Sequence, residues 1–246
     1  MTQMRLKEME ALTYPGRVII LGKEPSDEKI VVVYAITGRS PSSQARKIEF
    51  DQDCAWVKPT DEEILRKGDP DLLIYPAICI GNGLAVSNGK QTQDIKESMD
   101  GRATPVQVLE TSLQNWRYEP DEPNYTPRIS GCLLDLDRGA LSILKRAGDG
   151  RTHRQYFEFP LIPGYGHMIA TYTGENNDPL PSFAGEPRLV QFSGRTPGEV
   201  AEAVYNSLGP EDSDQDFRVS TACVFAGGFE LEMIDFVVIN RQEKEQ

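Results

Sequence analysis

The chain has 246 residues, long enough for one large domain or two small ones. Its 26 Lys+Arg against 38 Asp+Glu leave a net charge of −12, which argues against non-specific binding to nucleic acid or an anionic membrane, since either needs a basic face. A hydrophobic fraction of 39% supports a real core, and no apolar run approaches the ~20 residues of a membrane-spanning helix.

Residues 1–13 are mixed in charge, lack the apolar segment of a secretory signal and read as a polar lead-in. β-Rich sequence follows at 17–21, 30–34, 45–50, 72–80 and 84–87, the last two joined by a Gly81-Asn82-Gly83 turn. The β-branched, nearly continuous apolar runs predict strands covered on both faces. Two helices come next, the first over 91–99. The second opens at Thr104-Pro105 with Gln107 at the third helical position, a capping box, and carries Val106, Leu109, Leu113 and Trp116 along one face. The β pattern returns at 129–136, 140–146, 155–161 and 167–173. Residues 174–187 form a long Pro/Gly/Asn loop, of the kind that serves as a linker or as a flap over a site. A third helix over 197–208 repeats the Thr-Pro-x-Glu opening, strands at 218–225 and 230–240 follow, and 241–246 is a charged, solvated tail. About ten strands with helices inserted at mid-chain and near the end predict an α+β layered sandwich. One domain over 1–246, with its core at 14–240, is the preferred division, and a split near 174–187 the alternative.

Cys54, Cys79, Cys132 and Cys223 lack the close spacing of a zinc knuckle or redox motif and read as reduced thiols packed in the strands of a cytoplasmic protein. With only His153 and His167 available, a His-rich metal site or a Ser-His-Asp triad is disfavoured, and neither metal nor cofactor is expected. The stretch from Gly83 to Gln91 imitates a P-loop, but five residues separate its glycines and Gln stands where Ser or Thr should bind magnesium. Asn88-Gly89 reads instead as a tight, hairpin-like reversal. Gly81-x-Gly83 leads to Val86 rather than glycine, so the dinucleotide fingerprint fails as well. Thr2 is rejected as a terminal nucleophile, because the first strand begins only near Arg17.

Three loops concentrate groups that handle anions and protons. Arg39, Arg46 and Lys47 stand among small hydroxyl residues, including Ser40, directly after a strand; they read either as a phosphate site or as a charged, solvated sheet edge. Tyr75 lies in an apolar run and is followed by Ser87-Asn88-Gly89-Lys90, where a core phenol and a turn amide are the plain alternatives to site residues. The stretch from Tyr118 to Arg128 crowds Glu119, Asp121, Asn124, Tyr125 and Arg128 between prolines; the alternative is a rigid connector whose arginine pairs with its own acids.

Taken in order, Tyr-Pro-Gly-Arg-Val from Tyr14, Gly-Arg-Ser with a later arginine, the Tyr75 strand, Val-Ser-Asn-Gly with Thr92, and Asn-Tyr-Thr-Pro-Arg-Ile from Asn124 resemble the archaeal-type IMP cyclohydrolase family. The resemblance implies a four-layer αββα sandwich like that of N-terminal-nucleophile hydrolases, without a terminal nucleophile. It also implies closure of 5-formamidoimidazole-4-carboxamide ribonucleotide to IMP and water, by a homo-oligomer that acts on a purine ribonucleotide. Carried over residue by residue, it puts Arg46, Tyr75 and Glu119 at functional positions, although the longer loop spacing leaves Arg39 and Arg46 both eligible for the first. For that reaction Arg39, Arg46 or Lys47 would hold the 5′-phosphate, and Arg128 would serve there or at an oxyanion. Tyr75 and Glu119 would move protons, Asn88 would orient the carboxamide, and Ser40, Asn124 and Tyr125 complete the expected binding set. Two other functions stand beside this one: an amide hydrolase of the same fold type, and a non-catalytic purine-nucleotide-binding module.

Overall fold

The structure, a computed structural model, describes residues 5–61, 63, 73–210, 215–228 and 231–244. Thr2, Leu72, Glu230 and the end of the expected tail lie outside them. Thirteen strands occur among the described residues: β1 (Arg17–Lys23), β2 (Lys29–Thr37), β3 (Arg46–Asp51), β4 (Cys54–Pro59), β5 (Tyr75–Gly81), β6 (Gly83–Ser87), β7 (Arg128–Leu133), β8 (Arg138–Arg146), β9 (Thr152–Pro160), β10 (Tyr165–Ala170), β11 (Arg188–Gln191), β12 (Arg218–Gly227) and β13 (Met233–Asn240). They form two antiparallel sheets, a six-stranded one in the order β11-β10-β1-β2-β12-β13 and a seven-stranded one in the order β3 through β9. Helices α1 (Pro41–Gln44), α2 (Gln91–Glu97), α3 (Pro105–Ser112), α4 (Pro197–Ser207) and α5 (Arg241–Lys244) complete an α+β fold, with a single 3-10 turn at Lys7–Met9.

Side-chain alternation explains how the sheets stack. β1, β2 and β12 bury every residue after their first, as strands covered on both faces must. In β6, Leu84 and Val86 face the core shared by the two sheets, while Ala85 turns the other way; β8 divides Leu141 and Ile143 from Ala140 and Leu144 in the same manner. The residues turned away from the shared core meet Ile95 of α2 and Val108 and Leu109 of α3. α4 packs on β12 and β13 of the other sheet. No helix among the described residues is long and apolar enough to cross a membrane.

Three helices start in one way. Ser40, Thr104 and Thr196 each accept from the backbone N–H three residues on, and the side chains of Ser43, Gln107 and Glu199 answer from that position, with proline at the first helical residue. The capping box was legible for α3 and α4; in α1 it is written in serines alone, and that helix went unpredicted.

Other expectations need correction. β4 and β11 were missed: β4 carries Lys58 and Pro59 at its end, and β11 is a four-residue edge strand. Asn88-Gly89 is a strand-to-helix turn into α2, not a hairpin. The described part of the lead-in, from Leu6 on, is packed rather than merely polar, since Leu6, Met9 and Leu12 are buried in the main core and Leu6 N donates to Ser207 Oγ at 2.6 Å. The cysteines are not all reduced: Cys54 and Cys79 form a disulfide, while Cys132 and Cys223 are free and buried. Antiparallel pairing of β4 with β5 sets the two opposite one another at a Cα–Cα distance of 4.2 Å, a juxtaposition that their 25-residue separation conceals. Replacing both by serine is expected to cost roughly 3 kcal/mol, as the chain-entropy model gives for a loop of this length. Denaturant unfolding reads it, and dithiothreitol should lower the stability of the parent protein while leaving the double variant unchanged.

Candidate active site

Chain segments from both sheets converge on one cavity of about 430 Å³. β1 supplies Arg17 and the segment before it Tyr14, the β2–α1 loop supplies Arg39 and Ser40, and α1 supplies Ser42 and Ser43. The first residue of β3 is Arg46; the turn after β6 gives Asn88, the 119–126 loop gives Glu119, Asp121, Asn124 and Thr126, and Tyr172 and Leu180 come from beyond β10. In a chain of net charge −12, this wall holds three arginines against two acids.

Arg17 reaches the cavity because its neighbour is glycine. Gly16 has φ +76°, and a Cβ there would lie 2.2 Å from Thr171 Oγ1 and 2.6 Å from the Tyr172 ring. Thr171 Oγ1 accepts from the Arg17 backbone N–H at 3.1 Å. Arg46 is only 8% exposed. Arg17 Nε and Arg46 Nε and Nη1 are buried and have no hydrogen-bond partner among the described residues. Burial and the charge of Arg17 hold the Arg46 guanidinium below its ordinary pKa. Burial works on Arg17 in the same direction, but Tyr75, Tyr34, Tyr14 and Glu119 outweigh it and raise the group well above its usual value. Buried cations with unsatisfied N–H groups around a cavity are the makings of an anion site.

Glu119 lies in the same wall. Burial pushes its carboxyl up to about 7, against the pull of Arg128, Arg17 and Arg46 and with a push from Asp121. Glu119 Oε1 accepts from Asn88 Nδ2 at 3.2 Å and lies 3.7 Å from Arg128 Nη1. Asn88 is engaged on every side, for its Nδ2 also donates to Pro127 O at 3.0 Å while its Oδ1 accepts from Ile129 N at 2.8 Å and Gln91 Nε2 at 3.3 Å. Arg128 lies over the Trp116 ring at 4.9 Å and donates to Gln91 Oε1 at 3.1 Å. Gly89 makes room for it, since a Cβ there would lie 2.4 Å from Arg128 Nη1. Beside Glu119, Thr126 joins both oxygens of Asp121 and is 2.6 Å from the Tyr172 hydroxyl, whose pKa burial pushes up to about 12.

Of the expected residues, Arg39, Ser40, Arg46, Asn88, Glu119 and Asn124 line the cavity. Tyr75 does not: it is fully buried, with its hydroxyl 2.8 Å from that of Tyr34, yet Arg17 and Arg46 both feel it. Arg128 reaches the site only through Glu119 and Gln91. Lys47 faces away from Arg46 on β3 and pairs with Glu49. Tyr125 packs between the Arg146 guanidinium, 4.2 Å away, and Tyr118, rather than in the cavity. Residues 176–180 of the long 174–187 loop lie against the cavity wall. Arg39 donates to Asn177 O at 3.1 Å and Asn176 Oδ1 at 3.4 Å and lies 3.6 Å from Asp178, while Leu180 N donates to Asn124 Oδ1 at 3.0 Å.

The sequence reading missed Tyr14, Arg17, Ser42, Ser43, Asp121, Thr126, Tyr172 and Leu180 as site residues. Arg17 stood in the Tyr-Pro-Gly-Arg stretch and Asp121 and Thr126 in the third loop, so a signal was present for these; Tyr172 carried none. Among the described residues, no group of three or more His, Cys, Asp and Glu is placed to hold a metal ion.

A family model described as IMP cyclohydrolase-like protein matches residues 14–227. The chain is 31% identical over 181 residues to an IMP cyclohydrolase of Methanopyrus kandleri, a match covering 69% of this chain and 89% of that protein. It is 28% identical over 168 residues to an IMP cyclohydrolase of Methanothrix thermoacetophila, covering 68% of this chain and 78% of that protein. With its cavity built from the very stretches that the family model spans, the chain belongs to the IMP cyclohydrolase-like protein family.

Proposed function

We propose that the chain is an IMP cyclohydrolase, closing 5-formamidoimidazole-4-carboxamide ribonucleotide to IMP and water. The observation that carries this reading is one cavity holding two guanidiniums with free, buried N–H groups and a buried carboxyl poised near neutrality. The family's four-layer αββα arrangement is supported by α2 and α3 packing on one sheet and α4 on the other.

The carboxamide nitrogen and the formyl carbon are attached to the same ring, so the site needs to hold one rotamer, move protons and meet a developing negative charge. Ionised Glu119 takes a proton from the carboxamide nitrogen as the N–C bond forms. Arg46 and Arg17 meet the formyl oxygen as it becomes an oxyanion. Glu119 then returns that proton to this oxygen and turns it into a hydroxyl. In the second half Glu119 takes the proton of the former formamide nitrogen and delivers it to the departing hydroxyl, which leaves as water. Arg39 and the serines of α1, at the exposed end, hold the 5′-phosphate. Asn88 acts by holding Glu119, and Arg128 by keeping that carboxyl from rising further.

Purified protein incubated with the formamido ribonucleotide is expected to form IMP, followed by its absorbance; no IMP would overturn the reading. Arg46→Ala should cost roughly 1.5–3 kcal/mol of transition-state stabilisation, visible as a kcat lowered roughly ten- to a hundredfold with a much smaller change in KM. Turnover should fall as pH drops below about 7, where Glu119 becomes protonated, and Glu119→Gln should remove that limb along with most of the activity. Stability moves the opposite way. The folded value of Glu119 lies above its ordinary 4.5, so the folded state holds this proton more tightly, and stability is lost as pH rises from 4.5 through about 7. Glu119→Gln should therefore stabilise the protein by up to roughly 3 kcal/mol above that range and change little below it, as read by denaturant unfolding at two pH values.

A further inference from the structure

A chain of contacts orders one wall of the cavity from its mouth inwards. The Arg39 guanidinium lies 5.8 Å over the Tyr14 ring, Tyr14 stacks on Tyr172 at 6.0 Å, and the Tyr172 hydroxyl is 2.6 Å from Thr126 Oγ1. The Thr126 carbonyl then accepts from the Glu119 backbone N–H at 2.9 Å. A phosphate at Arg39 and a reacting base at Glu119 leave the sugar between them opposite the middle of this wall, where Tyr172, Thr126 and Asp121 line the cavity. Counting protons fixes what that middle offers. Both oxygens of Asp121 accept from Thr126, Oδ1 from its backbone N–H at 2.6 Å and Oδ2 from its hydroxyl. A threonine hydroxyl has one proton, so the hydrogen between Thr126 and Tyr172 comes from the phenol. The Tyr172 oxygen is left with lone pairs alone, and so are the two oxygens of Asp121. Burial, which pushes the Tyr172 phenol up to about 12, keeps its proton in place at neutral pH.

We propose that Asp121 and Tyr172 each accept one hydroxyl of the ribose, with Thr126 as the positioning residue that sets both as acceptors, so that the site selects a ribonucleotide over its 2′-deoxy and 3′-deoxy forms. This deepens the cyclohydrolase reading and rests on it. Two acceptors bridged by one threonine suit a vicinal diol, whose O–H groups donate side by side. A phosphate brings acceptors alone, so this stretch turns it away towards Arg39, and the ligand has one way round in the cavity. An analogue that lacks either hydroxyl leaves an acceptor in the wall without its donor, and such a site rejects it. No proton changes hands here during the reaction, so the effect falls on affinity.

Calorimetry with IMP, 2′-deoxy-IMP and 3′-deoxy-IMP tests this. The parent is expected to bind each analogue about tenfold or more weakly than IMP. Tyr172→Phe keeps the stack on Tyr14 and removes only the hydroxyl. It should weaken IMP about tenfold and bring IMP to within about twofold of one analogue, while the preference over the other persists. Thr126→Val should lose the preference over both, and Thr126→Ser, which keeps the hydroxyl, should retain it. A parent that binds either analogue as tightly as IMP overturns the proposal. So does a Tyr172→Phe that weakens all three ligands alike, as a merely structural role would, or a Thr126→Val that discriminates like the parent. Should the variants not fold, the three affinities of the parent decide alone. A protein that neither forms nor binds IMP defeats the cyclohydrolase reading and this proposal with it, whereas one that forms IMP yet binds the deoxy analogues equally well defeats the proposal alone.

Discussion

Two positive charges, with no ion pair of their own among the described residues, stand together in the cavity wall. Arg17 and Arg46 are brought from different sheets into one wall, and each keeps a buried nitrogen without a partner. Their like charges disfavour one another, and water is too scarce at those nitrogens to replace a partner. Such a pair is tolerable in a folded chain when the surroundings supply negative potential. Here the carboxylate of Glu119 acts on both arginines, and the chain as a whole carries a net charge of −12. A substrate that develops charge on an oxygen meets donors already in place, which need no rearrangement.

Glu119 shares a wall with these cations, yet among the described residues its carboxyl bonds to neither. Its direct contacts are Asn88 and, less closely, Arg128, and both are fixed by Gln91 at the start of α2. A carboxylate pressed directly against a buried arginine would be locked in its charged form and could neither take nor return a proton at neutral pH. The same reasoning explains why Asn88 and Gly89, which looked like ordinary turn residues, carry so much of the site: one fixes the carboxyl, and the other leaves space for the guanidinium that steadies it.

Local rules made much of this legible in the sequence. The apolar runs of β1 and β2 read as doubly covered strands, and the Thr-Pro openings located the starts of α3 and α4, although the apolar face read for α3 ran on to Trp116, past its end at Ser112. The loops at Arg39–Arg46, Asn88 and Glu119–Asn124 were recognisable as chemistry because charge and amide groups there serve no helix or strand pattern. What could not be read were partnerships made by register. Cys54 meets Cys79 only because β4 and β5 run antiparallel with those residues opposed, and Tyr34 meets Tyr75 across two sheets. Lys47 failed for a related reason: one step along a strand turns a side chain to the opposite face, so the neighbour of a cavity arginine points elsewhere.

Arg39 and the 174–187 loop hold one another at the mouth of the cavity, for this guanidinium is occupied with Asn176, Asn177 and Asp178. On the proposed function it is also the group that a nucleotide's phosphate would meet, so binding would be an exchange of partners in which the ligand loosens the loop. A nucleoside without phosphate would bring nothing to trade, and the doorway itself would discriminate between charged and uncharged forms of the same base before any chemistry begins.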